Sequence, residues 1–553
     1  MTVHYKPSII LLSIIVLAAF AIRISYLNAL KTHPLPILAN HADEFDQSRF
    51  MNLADKISAG KWEEAGKSFF SPVYSILISL IFYFFGHDFY NVFLFQSIIA
   101  CLSIITVYKT AELVYNNPRI GIIAAFLMAF YGPLIYHDSK IERGALIAYL
   151  NLTSFYFLVK FLQFKNKIFL VLSGFVTGLS FIMRDNFLPF VVLPYLFINV
   201  DKNFKDRILS CVLFLSILAI PIGSLIILQK TSENKGIFTT QGSSVFWIGN
   251  TPDAMGIGLY RSPIREVYDQ KTEGKALKTI GLFLNEVVHN PSVYSRLYWR
   301  KIQMYFNGYE IPGNLSFDLF REDIKILRIG FVTFTFICPL ALMAMLIGWK
   351  KFAYHRLLVL FTFVLSMSVI AFHIQGRYRI PSIPFFILLA AFTIEWFIQK
   401  LGNKQTLKLI IGSVVFLLLF NFCSPNERII KTYFGDKVRP LDYVNTAIAY
   451  HYLLLTYPER YPSSQKAIIY QKVIEYFSKA IESTPGTAKN FRTDLYINKG
   501  LFEKLTGQEN AAEKSFQEAL SLNKGKEDTI WTNIKERWRV LSISPQDTQY
   551  VYF

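Results

Sequence analysis

The sequence predicts an all-α protein: a polytopic bundle of membrane helices followed by a soluble helical tail. Hydrophobic residues fill 53% of the 553 positions and charged residues only 17%. Apolar runs recur to about residue 425, and inside lipid only helices of this kind satisfy their own backbone polar groups. Beyond that point the composition turns polar, and apolar residues return at helical spacing.

Residues 8–30 form the first apolar run, with Lys6 ahead of it and no small-residue cleavage site, so it reads as an uncleaved anchor. The first polar stretch, 40–62, carries Asp43, Glu44 and Asp46. After Asp46, the residues Phe50, Leu53, Ala54 and Ile57 fall at helical spacing and Gly60 stops the pattern, which places the acids at the start of an amphipathic helix. Asp46 fits two roles there, a helix cap or a catalytic carboxylate. The next apolar run, 71–85, is shorter than the ~17–25 residues of a usual span and reads as a re-entrant or interfacial helix.

With that run set aside, about eleven spans remain. The Lys-rich loops around Lys109, Lys165, 201–207, Lys350 and Lys400 then share one side, which the positive-inside rule makes cytoplasmic. The N-terminus is expected inside and the C-terminal tail outside. The net charge of +18 is spread over short loops, so it reads as topology signal and attraction to anionic lipid rather than nucleic-acid binding. The four cysteines all lie in apolar runs, and no disulfide is expected.

This parity gathers Asp43, Glu44, Asp46, Asp138, Glu142, Arg184, Asp185, Arg377 and Arg379 at the outer rim. Any one of the arginines is explained equally well as a snorkelling anchor. Together, arginine forks suit phosphate oxygens and carboxylates suit a general base or a divalent cation. Asp138 and Glu142 share a face if one helix carries both. A Mg²⁺ or Mn²⁺ ion among Asp46, Asp138 and Glu142 is compatible with the residue types, although no His/Cys spacing demands one. The residues thus describe a rim pocket for an anionic, phosphate-bearing lipid and a base-assisted transfer. The rival reading is a secondary transporter or a flippase for an anionic lipid-linked substrate. Transporters concentrate ionisable groups at the midplane, whereas here they sit at span ends.

The expected domains are a membrane domain over 1–423, a linker over 424–466 broken by Pro425, Pro440, Pro458 and Pro462, and a helical domain over 467–553. The membrane domain includes the acidic loop 31–71 and a long loop 229–328, whose Gly242, Gly249, Gly256 and Gly258 mark turns in a compact cover for the site. Asn250 and Glu310, within it, are candidates for contact with sugar or acceptor. In the tail, Gly500, Gly507, Ala512, Phe516 and Ala519 match tetratricopeptide spacing, and Phe477, Ala480 and Pro485 repeat its second half. Such a tail either recruits an acceptor protein in a groove or caps the external loops.

The run Asp46-x-x-x-Phe50-x-x-Leu53-Ala54, with Ile57, Gly60 and Trp62, resembles the first external loop of GT-C glycosyltransferases. The pattern is closest to bacterial members of the protein O-mannosyltransferase and lipid A aminoarabinose transferase superfamily. Phe70-Ser71-Pro72-Val73-Tyr74, Tyr136-His137-Asp138 with Glu142, Met183-Arg184-Asp185-Asn186, the segment from Phe246 to Ala254, Tyr309-Glu310-Ile311-Pro312 and Arg377-Tyr378-Arg379-Ile380-Pro381 follow in the family's order. The family often has Asp-Glu where this chain has Asp46-Gln47, which leaves Asp43 as the base in a shifted register. The resemblance implies a GT-C bundle with external juxtamembrane helices. It implies a hexosyl- or pentosyltransferase that takes sugar from a polyprenyl-phosphate donor to a hydroxyl of a protein, lipid or polysaccharide. Asp46 is then the base, Asp138 or Glu142 the second acidic motif, and Arg184 with Arg377 or Arg379 the phosphate clamp.

Overall fold

A computed structural model describes residues 5–41, 45–68, 70–184, 188–199, 203–231, 241–258, 264–350 and 352–543. Among these the structure is helical throughout, with two isolated bridges and no strand. Seven helices are long and apolar enough to cross a membrane, among them Pro7–Leu30, Phe89–Tyr115, Gly144–Phe164 and Gly376–Gly402. Four shorter apolar helices join them: Val73–Phe85, Pro118–Ala129, Lys167–Met183 and Phe334–Ile347. The chain is a multi-pass membrane protein of all-α class.

Contact clustering divides the chain into two compact units. The first comprises Met1–Asn28, Arg49–Gly313 and Ile324–Pro425. Its centre is the helix Ile383–Gly402, where Phe385, Phe386, Ile387, Leu388, Leu389 and Ala390 are all buried in succession. Burial all round is what a helix enclosed by others requires. By contrast only 17% of the apolar window in Phe204–Lys230 is covered by protein, which leaves that helix facing lipid.

One expected span is broken. The apolar run through residue 136 divides into Pro118–Ala129 and Gly132–Asp138, because Gly132-Pro133 restarts the helix after Tyr131. The backbone freed at the break is satisfied by a neighbour: Val332 N–H donates to the Phe130 carbonyl, and Gly132 N–H donates to the Val332 carbonyl. Non-helical backbone inside a membrane bundle persists only where protein pairs it in this way. Gly330 permits the approach, since a β-carbon there would lie 2.6 Å from the Gly132 Cα.

The second unit comprises Ala29–Ser48, Asn314–Asp323 and Asn426–Phe553. The acidic stretch, expected to belong with the membrane domain, instead groups up to Ser48 with the tail. Leu35 and Leu38 are buried on the short helix Leu35–His41, which packs on Pro440–Thr456. His33 Nε2 lies 3.2 Å from Asp323 Oδ2, with its ring against Phe320. The expected linker is also largely helical, with Glu427–Phe434 and Pro440–Thr456. Three of its four prolines, Pro440, Pro458 and Pro462, stand at helix starts rather than break helices. Pro440 occupies the first turn of its helix and Pro462 caps Ser463–Ser483, positions where a missing N–H costs nothing. The pair Lys489–Leu505 and Glu509–Leu522 follows, with the Phe516 ring occupying the space a side chain at Gly500 would need.

Candidate functional site

The broken helix ends at Asp138, and the chain then turns through Ser139–Arg143 before Gly144–Phe164 begins. Asp138 and Glu142 therefore do not share a helix face, contrary to the expectation from their spacing. Ser139 leaves helical geometry (φ −111°, ψ 37°) and sends the two acids in different directions. Asp138 is fully buried, accepting from Arg23 Nε at 2.9 Å and from the Tyr149 hydroxyl at 2.6 Å. Arg23 is buried too, so it is a structural partner of Asp138 and no snorkelling anchor. Glu142 instead faces its own loop. His137 Nδ1 lies 2.9 Å from Oε2, and Lys140 Nζ lies 2.7 Å from Oε1. Burial disfavours the Glu142 charge, but Lys140, His137 and Arg377 together outweigh it and hold the carboxyl well below its ordinary range. Gln96 fixes the loop by donating to the carbonyls of Asp138 and Lys140, and its own oxygen accepts from Tyr74.

Around Glu142 cations dominate. The Arg143 guanidinium lies 5.3 Å from the rings of both Phe50 and Phe70, and donates to the Met183 carbonyl at 2.6 Å. The next residue, Arg184, is half-buried with its guanidinium 3.8 Å from the Tyr378 ring centroid. Arg377 approaches the same ring at 5.1 Å and donates to Gln375 Oε1 at 2.8 Å. A β-carbon at Gly144 would lie 3.1 Å from the Arg377 carbonyl oxygen, so the Glu142 turn and the Arg377 turn are neighbours. Lys140 thus pairs with Glu142 and Arg377 acts on it through space, while Arg143 and Arg184 lie over the rings of Phe50, Phe70 and Tyr378. Guanidinium forks of this kind can hold an anion with several oxygens, phosphate among them.

Arg379 is differently placed. It is buried, donates to the carbonyls of Tyr305 and Asn307, and forms an ion pair with Glu310 at 2.8 Å. Its guanidinium also stacks 3.7 Å from Phe334. Arg379 and Glu310 therefore serve one another.

The long loop is mostly helix, and Gly242 lies inside Gln241–Ile248 rather than at a turn. Residues 249–258 do turn, with Gly256 at φ +84°, and they lie against the segment leading to Arg377. Ile257 bridges Ile374, and Ile374 N–H donates to the Gly256 carbonyl at 2.9 Å. Asn250 is fully buried and pins this arrangement. Its amide nitrogen donates to the Phe246 and Ala371 carbonyls, while its oxygen accepts from Tyr298 and from Lys301 Nζ at 2.7 Å. Burial pushes the Lys301 amine well below its ordinary pKa. Burial also lowers His373, with Arg184, Lys301 and Arg377 adding to the effect, to about 3, so this ring is neutral.

Asp46 opens the helix Asp46–Ser58 and is half-buried. A carboxylate in a first turn is favoured by the helix dipole. One turn on, Phe50 stacks on Phe70 and meets Tyr74 edge-on. Asp43, Glu44 and Asp185 lie outside the described residues. No group of three or more ligating side chains gathers among the described residues. With the Asp138 oxygens taken by Arg23 and Tyr149 and those of Glu142 by His137 and Lys140, these two acids do not fit a shared divalent ion.

His137, Lys140, Arg143, Tyr378 and Lys301 were not anticipated from sequence. The first three were detectable in principle, since His137, Asp138, Lys140, Glu142 and Arg143 crowd five ionisable groups between two apolar runs.

A family model described as dolichyl-phosphate-mannose-protein mannosyltransferase matches residues 70–225. That stretch contains Tyr74, Gln96, the turn from His137 to Arg143, and Arg184; it excludes Asp46 and Arg377. The match supports the GT-C glycosyltransferase superfamily, and with it a membrane glycosyltransferase of GT-C type. No curated protein matches the chain.

Proposed function

We propose that this GT-C type membrane glycosyltransferase moves a sugar from a polyprenyl-phosphate donor to an acceptor hydroxyl on the outer face of the cytoplasmic membrane. The observation that carries the reading is the convergence of Arg184 and Arg377 on Tyr378, beside the turn in which Lys140 and His137 hold Glu142.

In the proposed reaction Asp46 takes the proton of the acceptor hydroxyl as its oxygen bonds to the anomeric carbon. The bond from that carbon to the phosphate oxygen breaks, and the electron pair leaves with polyprenyl phosphate. Arg184 and Arg377 hold the charge that grows on the leaving group, which matters most in a site where water is excluded. Glu142 provides the second acidic group, kept ionised by Lys140 and His137. Arg379, engaged by Glu310 and two carbonyls, supports the bundle behind the clamp. The tail helices, which include the tetratricopeptide-like pair, are the segment proposed to recruit a protein acceptor.

The test uses the full chain in proteoliposomes, offered synthetic polyprenyl-phosphate sugars and short-chain acceptors, with release of polyprenyl phosphate as the readout. Release that depends on acceptor supports the reading. Transfer from a nucleotide sugar, with none from any prenyl donor, overturns it. Comparing cell-surface glycoconjugates with and without the gene by mass spectrometry then identifies the sugar and acceptor.

A further inference from the structure

The helix Ala276–His289 in the long loop carries an apolar stripe that no part of the first unit covers. Leu277, Ile280, Leu284 and Val288 are 86%, 53%, 55% and 74% exposed. Their spacing puts them on one side of the helix, within an arc of roughly 100°. Gly281 falls in the same arc with open space where a side chain would stand. The adjoining side is already used: Phe283 and Val287, next to Ile280 around the helix, pack on a cluster of Ala254, Tyr294 and Leu297. This helix therefore has one broad apolar face, part of it holding the helix to the protein and part facing outward. A contiguous exposed stripe of large aliphatic side chains signals a missing apolar partner.

The position of the helix identifies that partner. Ala276–His289 packs against Pro291–Phe306, which in turn packs against the apolar helices Ala353–Ala371 and Thr406–Cys423. The stripe is thus separated from membrane-spanning helices by one intervening helix. Lys275 and Lys278, which both pair with Glu273, and His289 lie along the polar side, and Trp299 is 56% exposed on the adjoining helix. Aliphatic stripe, flanking cations and a nearby tryptophan are the features of a helix lying in the plane of a bilayer surface.

We propose that Ala276–His289 is an interfacial helix whose Leu277, Ile280, Leu284 and Val288 insert into the acyl boundary of the adjacent lipid leaflet. The inference rests on the multi-pass membrane assignment and not on the donor or acceptor chemistry. It has a consequence for the site. Tyr294 and Tyr298, on the next helix, donate to Asn250, which anchors the 249–258 turn against the segment leading to Arg377. The lipid surface therefore steadies the outer end of the framework that holds this turn.

The experiment places single nitroxide labels at 277, 284, 288, 278 and 285 in the full chain, reconstituted in vesicles of phosphatidylethanolamine and phosphatidylglycerol. The unlabelled-site background is taken from the parent protein. Collision with dissolved oxygen and with a water-soluble nickel chelate is then compared. The proposal expects nickel collision at 277, 284 and 288 to fall several-fold below that at 278 and 285, with oxygen collision higher. Equal nickel access at all five positions overturns it by leaving the stripe in water. Protection from both reagents also overturns it, because a protein partner and not lipid then covers the stripe. The five positions are all exposed, and loss of transfer activity in a labelled variant does not enter the readout.

Discussion

The guanidinium of Arg23 lies 2.9 Å from the carboxylate of Asp138, both side chains buried, and this pair separates two acids that the sequence presents as equivalent. Asp138 is committed to holding the first helix against the broken one, whereas Glu142 is held in its own turn by His137 and Lys140. Asp138→Leu should strand the Arg23 charge and cost about 3–5 kcal/mol of stability, the usual penalty for removing one member of a buried pair. Adding Arg23→Met should recover much of that loss. Thermal unfolding of the single and double variants in detergent measures both effects; equal stability of all three proteins would refute the structural role.

Glu142→Gln should act in the opposite way. It removes the charge that Lys140 and His137 surround, so transfer should fall by roughly 10²-fold while the unfolding temperature changes less than in Asp138→Leu. Steady-state rates and unfolding curves on the same preparation separate the two outcomes.

Arg377→Lys keeps the charge but loses the planar fork. The account expects a KM for the prenyl donor raised by about tenfold or more, with acceptor KM little changed, because bidentate phosphate contacts do not survive that exchange. A change confined to acceptor KM would place Arg377 on the wrong substrate.

His373 gives the fold a pH dependence. Its ring stays neutral in the folded chain down to about 3, whereas the unfolded chain takes up a proton below about 6.5. Between those values the unfolded state binds more protons, so stability is complete above the upper one and is lost as pH falls. Going from about pH 7 to about pH 5 should cost on the order of 2 kcal/mol. His373→Gln should flatten that slope, as followed by unfolding temperature across the same range.

The helical class and the membrane character were legible because they depend on composition and periodicity summed over long runs. The break at Tyr131 was not, since Gly132-Pro133 sits in a continuous apolar run and its partner, Val332, is supplied by a distant segment. Likewise nothing near Asp138 announces Arg23, a contact made only by folding. The 31–48 stretch was assigned to the membrane domain by adjacency in sequence, but burial of Leu35 and Leu38 ties it to the tail. Residue type alone marks the arginines as a group; which of Arg377 and Arg379 is engaged by Glu310 needed coordinates. The prolines of the expected linker misled for a related reason. Proline marks a helix start as readily as a stop, and its surroundings decide which.

Asp46 is the residue on which the proposed chemistry turns. The most direct measurement is the rate of acceptor-dependent polyprenyl-phosphate release by Asp46→Asn in proteoliposomes, beside the parent protein and with insertion and unfolding temperature checked. Loss of a positioned carboxylate base should lower turnover by roughly 10²–10⁴-fold with the fold intact. Near-parental turnover in that variant would contradict the mechanism and move the base elsewhere in the chain.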